Sequence, residues 1–115
     1  MNNIDINFKN SKIYIVEVRV DNYKEGEHIF YTSDQIFTFI AEAENCKNNL
    51  FAREVSNCFS DNEVVLPDDL SNYNRYALNH TYINDGYFDV NQSWIYSEYL
   101  YVSAKIKELT LGTKL

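Results

Sequence analysis

Residues 12–43 read KIYIVEVRVDNYKEGEHIFYTSDQIFTFIAEA, and this stretch decides the fold. Its first part, KIYIVEVRVD (12–21), alternates: Tyr14, Val16, Val18 and Val20 fall on one face, Glu17 and Arg19 on the other. A period of two is the mark of a half-buried strand. The loop around Lys24-Glu25-Gly26-Glu27 then turns the chain, and His28 to Tyr31 returns as a second strand, so a hairpin with a rather long loop is expected. Thr32-Ser33-Asp34-Gln35 reads as a helix start, with a hydroxyl to cap, an acid at the positive end and Gln35 three residues after Thr32. From there Ile36, Phe39, Ile40, Ala43 and Cys46 recur at helical spacing, and Asn48-Asn49 is the expected stop. The chain thus opens with a ββα unit.

The signals beyond it are weaker. Leu50, Phe51, Val55 and Phe59 fit a helix loosely, while FAREV (51–55) reads equally as extended; a strand near 50–56 is expected. Pro67-Asp68-Asp69 has the chemistry of a first helical turn, and Leu70, Tyr73 and Ala77 share a face, so a helix is expected to run to about Asn79. Thr81-Tyr82-Ile83, Asn84-Asp85-Gly86 and Tyr87-Phe88-Asp89-Val90 read as a tight hairpin, with Gly86 placed for positive φ. Over 94–109, Leu100, Val102, Ala104 and Ile106 alternate with tyrosines, Ser103 and lysines, and the β-branched and aromatic content favours strand. The fold class is α+β: one domain spanning 1–115, an antiparallel sheet of about five strands, one or two helices on one face.

The formal net charge is −7, and it is unevenly spread. Between Asp61 and Glu98 lie seven acids and one base, Arg75. The same stretch carries Tyr73, Tyr76, Tyr82, Tyr87 and Tyr96, with Tyr99 and Tyr101 just beyond. Such a surface repels nucleic acid and draws basic proteins. Tyrosine supplies contact area with little rotamer entropy to lose. Carboxylates two residues apart on a strand face lie about 7 Å apart, near the spacing of phosphates along one nucleic-acid strand. An acidic edge beside tyrosines therefore suits a groove built for DNA or RNA. The residues expected to carry the contact are Asp61, Glu63, Asp68, Asp69, Asp85 and Asp89, with Tyr73, Tyr76, Tyr82 and Tyr87 as anchors and Glu25 and Glu27 as a smaller patch.

No catalytic constellation stands out. His28 and His80 sit in neither HxxxH nor HExxH, and Cys46 and Cys58 form no CxxC, so a metal site from these four lacks the usual spacing. Gly26, Gly86 and Gly112 are too widely spaced for a phosphate loop. Asp68-Asp69 reads better as a helix start than as a paired-acid site. Neither an enzyme nor a cofactor or metal protein is expected. No apolar run follows a basic start and none approaches a membrane span, so a cytoplasmic protein of a bacterial host is expected, with both cysteines as free thiols.

A short acidic domain that opens IYIVEVRV … HIFYTSDQIFTFIAEA, rich in Asn, Tyr and Ile and without catalytic motifs, resembles the small accessory proteins of phages and mobile elements in low-GC bacteria, and among these is most similar in style to anti-CRISPR proteins. The resemblance implies a non-catalytic inhibitor that binds a CRISPR effector, a basic nucleic-acid-binding protein, and blocks its nucleic-acid channel or its PAM-reading surface. From the scarcity of bases beside the aromatics and the lack of a long apolar run, no direct nucleic-acid or membrane contact is expected. An immunity or antitoxin-like protein neutralising a basic toxin would show the same surface, and a phage assembly subunit would self-associate. A homodimer through the tyrosine-rich strand 94–102 is the remaining expectation.

Overall fold

The computed structural model describes residues 12–59, 66, 70, 74–75, 83–97 and 99–110. Strands β1 (Lys12–Asn22) and β2 (Glu27–Thr32) are followed by helix α1 (Ile40–Cys58), the two-residue β3 (Asn74–Arg75), β4 (Ile83–Phe88), β5 (Gln92–Ser97) and β6 (Leu100–Thr110). The strands form one antiparallel sheet in the order β2-β1-β6-β5-β4-β3. Five full strands carry the architecture, α1 packs on one face, and the chain opens ββα as the sequence predicts.

The core lies between α1 and one sheet face. Antiparallel register brings Tyr31, Val18, Ala104, Ser93 and Phe88 into one cross-strand row and Ile29, Val20, Val102, Ile95 and Gly86 into the next. Onto these rows α1 lowers Ala43, Lys47, Phe51 and Val55, an i, i+4 stripe. Phe51 meets Phe88 edge-to-face with centroids 5.8 Å apart. Burying each such ring contributes about 1.5–3 kcal/mol.

Several boundaries differ from the sequence reading. The helix begins at Ile40, not after Ser33, and Phe39 at its N-cap makes no side-chain cap. The cause is a long-range backbone pair: Tyr14 and Phe37 each donate to the other's carbonyl at 2.8 Å, which pins Phe37 beside β1 after a bend at Asp34-Gln35 and keeps this stretch out of the helix. Ser33 does serve the backbone, but its Oγ accepts from Val16 N at 3.1 Å and donates to Gln35 O at 2.8 Å, fastening the crossing from β2. Ile36, Phe39 and Ile40 are consequently exposed rather than core residues. The helix runs through Asn48-Asn49 and the expected strand at 50–56 as far as Cys58, because Phe51 and Val55 continue the stripe that Ala43 and Lys47 begin.

The expected helix 67–79 is contradicted at Asn74–Arg75, which pair with Phe88 and Tyr87 in β3. The expected turn at Asn84-Asp85-Gly86 is instead part of β4, with a register shift between Ile83 and Asp85. Gly86 has no positive φ; among the described residues only Gly26 does, at φ 69° in the β1–β2 loop. The turn falls five residues later: Asp89 N donates to Gln92 O, while Asp89 Oδ1 accepts from Asn91 N and Gln92 N, all at 2.8 Å. The 94–109 region is extended as expected, but it is two strands. Ser97 closes the turn between them, its Oγ accepting from Leu100 N at 3.1 Å. Cys46 and Cys58 are both free and half-buried. Twelve residues apart on one helix, they stand about 18 Å apart, beyond disulfide reach.

Candidate functional site: the open face of the sheet

Alternation that sends valines under α1 sends a different set of side chains to the opposite face, which no described helix covers. Two cross-strand rows run over it. The first is Phe30, Arg19, Ser103, Trp94, Tyr87, and the second is His28, Asp21, Tyr101, Tyr96, Asp85, each read across β2, β1, β6, β5 and β4. A shorter third row holds Thr32, Glu17, Lys105 and Gln92. Five aromatic rings thus share one pleated surface, and Tyr87 and Trp94 stack with centroids 6.3 Å apart and planes at 21°. Strand spacing places Asp21 and Asp85, three strands apart, roughly 14 Å from each other with two tyrosines between them.

Asp21 organises the β1–β2 side. Its carboxylate is nearly buried, pairs with His28 Nδ1 at 2.8 Å and sits 3.4 Å from Arg19 Nε. Tyr23 meets the His28 ring edge-on at 5.7 Å. Arg19, Asp21, Tyr23, His28, Tyr96 and Tyr101 line a shallow depression of about 500 Å³. A second, of about 180 Å³, adjoins it and shares Arg19 and Tyr101; Phe30, Trp94, Gln92 and Lys105 are among its walls. Lys105 and Lys107 reach Glu17 at 3.7 and 3.9 Å. Exposed pairs of this kind contribute only tenths of a kcal/mol to stability.

Of the residues expected to bind a partner, Asp85 and Tyr87 stand on this face. Asp89 is at its margin, spent on the β4–β5 turn and accepting from the Tyr87 hydroxyl at 3.0 Å. Glu25 and Glu27 are exposed in the β1–β2 loop and at the start of β2. Asp61, Glu63, Asp68, Asp69, Tyr73, Tyr76 and Tyr82 lie outside the described residues. Sequence reasoning passed over Arg19, Asp21, His28, Phe30, Trp94 and Tyr101 as site residues. The signal for them was the same alternation that marks the strands. Among the described residues of this face, Glu17, Asp21 and Asp85 are interleaved with Arg19, Lys105 and Lys107, so these residues make it aromatic and mixed in charge. Strands β5 and β6 are interior, paired on both sides, so the 94–102 segment offers no free edge for a dimer.

A different cluster joins β2 to α1. The Tyr31 hydroxyl donates to Glu54 Oε2 and accepts from Arg53 Nη2 at 2.9 Å. Burial, then the Glu54 carboxylate, push the Tyr31 phenol up from its ordinary value. Among the described residues no three His, Cys, Asp or Glu side chains gather to hold a metal, and no helix is long and apolar enough to cross a membrane. Compared with family models, curated proteins and solved structures, the chain finds no match.

Proposed function

We propose that this chain is a non-catalytic binding protein that inhibits a basic, nucleic-acid-handling protein by occupying its nucleic-acid site, an inhibitor of the anti-CRISPR type. The observation that carries the reading is the row Asp21–Tyr101–Tyr96–Asp85 on a face that α1 leaves uncovered. A tyrosine ring takes an arginine or lysine over its face, and a carboxylate at the end of the row takes the cation's N–H groups. The net charge of −7 favours encounter with a basic partner. The interleaved Arg19, Lys105 and Lys107 make the face selective, because a partner must match both signs.

The test is retention on the immobilised chain at low salt, with two competitors. A nucleic-acid-binding protein should be retained, released by its own oligonucleotide and released by raised salt. Tyr96→Ala and Trp94→Ala should each abolish retention. A retained protein that its oligonucleotide fails to displace would refute occlusion, and retention untouched by both substitutions would refute the face.

A further inference from the structure

The sheet has two ends among the described strands, and they are built differently. At one end β3 is two residues long, and very short edge strands are one way proteins keep sheets from adding strands. The other end, β2, is neither short nor covered among the described residues. It is six residues long, in unbroken register with β1 from Asn22↔Glu27 to Glu17↔Thr32, and EHIFYT contains no proline and no lysine. Its central residues, Ile29 and Phe30, project to opposite faces and are 50% and 61% exposed.

The hydrogen-bond pattern says which main-chain groups of β2 face outward. Ser33 N donates to Val16 O, and Tyr23 N donates to Tyr99 O. Even-numbered residues of β1 therefore bond toward β2 and odd-numbered ones toward β6. The partners of the even set are the odd-numbered residues of β2. The N–H and C=O groups of His28, Phe30 and Thr32 consequently point away from β1.

We propose that β2 is a self-association edge, pairing antiparallel with β2 of a second copy about a twofold axis through Phe30. Only this register uses every outward group. Phe30 faces its own counterpart and His28 faces Thr32 on both sides, giving about six main-chain hydrogen bonds at two per bonded pair. A pairing shifted by one residue in each copy, centred on Ile29, loses the Thr32 pairs. In the Phe30-centred register Ile29 meets Tyr31 on the helix side, Phe30 meets Phe30 on the open side, and Glu27 faces Ser33, so no like charges oppose each other. The axis is perpendicular to the sheet, so both open faces end on the same side. The dimer presents one continuous aromatic surface of double width. A six-residue edge buries less than the roughly 800 Å² per partner of a standard interface, so the dimer is weak and forms only as concentration rises. The inference rests on β2 alone and is independent of the partner proposed above.

The experiment is sedimentation of the full chain over a concentration series, with amide hydrogen exchange in parallel. The wild type should shift from monomer to dimer. The amides of His28, Phe30 and Thr32 should gain protection with concentration, while those of Ile29 and Tyr31, already bonded to β1, stay protected throughout. Phe30→Lys and Phe30→Glu should each remain monomeric, since residue 30 then opposes its own charge, and mixing the two should restore a dimer. The mixture separates loss of pairing from loss of folding. A wild type that is monomeric at every concentration, a dimer that survives both substitutions, or a mixture that fails to reassociate while both variants remain folded would overturn the proposal.

Discussion

The ammonium group of Lys47, wholly buried on the core side of α1, donates to the main-chain carbonyl of Asp89. It also lies 3.4 Å from the carbonyl of Leu70. A single side chain thus ties the helix to the β4–β5 turn and to Leu70. Burying a lysine is expensive unless its donors are met, and here main-chain oxygens meet them.

Lys47→Ala removes these donors and leaves a void beside Phe51. A loss of about 3 kcal/mol is expected, from unsatisfied carbonyls and lost packing together. Lys47→Met keeps most of the stem volume and should lose less. Urea unfolding followed by circular dichroism checks both; an alanine variant within 0.5 kcal/mol of wild type, the range of an ordinary surface change, would show that the bond is not structural.

Ser93 stands between Ala104 and Phe88 in the buried row, and its Oγ has no hydrogen-bond partner among the described residues. Ser93→Ala should therefore stabilise the fold by about 1 kcal/mol, since a desolvated hydroxyl is removed and no partner is stranded. Thermal unfolding of the variant reads the change directly, and a lower midpoint would contradict it.

High pH should weaken the protein through three groups. Burial raises the Cys46 and Cys58 thiols, and burial with Glu54 raises the Tyr31 phenol. Each is an acid held neutral in the folded state. Its contribution is complete below the unfolded pKa, about 8.5 for a thiol and about 10 for a phenol, and is lost as pH climbs through the folded value. Stability measured from pH 7 to 11 should fall first in the thiol range. The double variant Cys46→Ala, Cys58→Ala should flatten that first decline and leave the later one, which Tyr31→Phe should remove.

Tyr96 is 39% exposed, so Tyr96→Ala should change stability by no more than about 1 kcal/mol while removing partner binding. Asp85→Asn should weaken binding and reduce its salt dependence. Binding isotherms at two salt concentrations distinguish the effects. Equal loss at both would mean that Asp85 acts through shape rather than charge.

The parts legible in the sequence are those where a local pattern and the global packing agree. The valines of β1 alternate because one face meets α1, and that alternation survives into the structure residue for residue. The helix start did not survive. The Thr32–Gln35 capping signal is genuine, but the backbone pair between Tyr14 and Phe37 is worth more, and a partner 23 residues away leaves no mark in a local window. The β5–β6 turn escaped notice because it is made by the Ser97 hydroxyl rather than by glycine or proline. Lys47 escaped because a lysine in a helix reads as solvated. The open face was half visible. Its tyrosines could be counted, but only the strand order brings Trp94 and Tyr96 of β5 beside Arg19 and Asp21 of β1 through β6.

The longest ladder in the sheet joins β1 to β6, pairing Lys12 with Thr110 and Asn22 with Leu100. Nearly everything between must be synthesised before this central seam can zip. Until then the valines of β1 have α1 above them and β2 beside them, but the β6 side of the strand is unpaired. Such distant pairing slows the search for the native state relative to a fold built of local contacts.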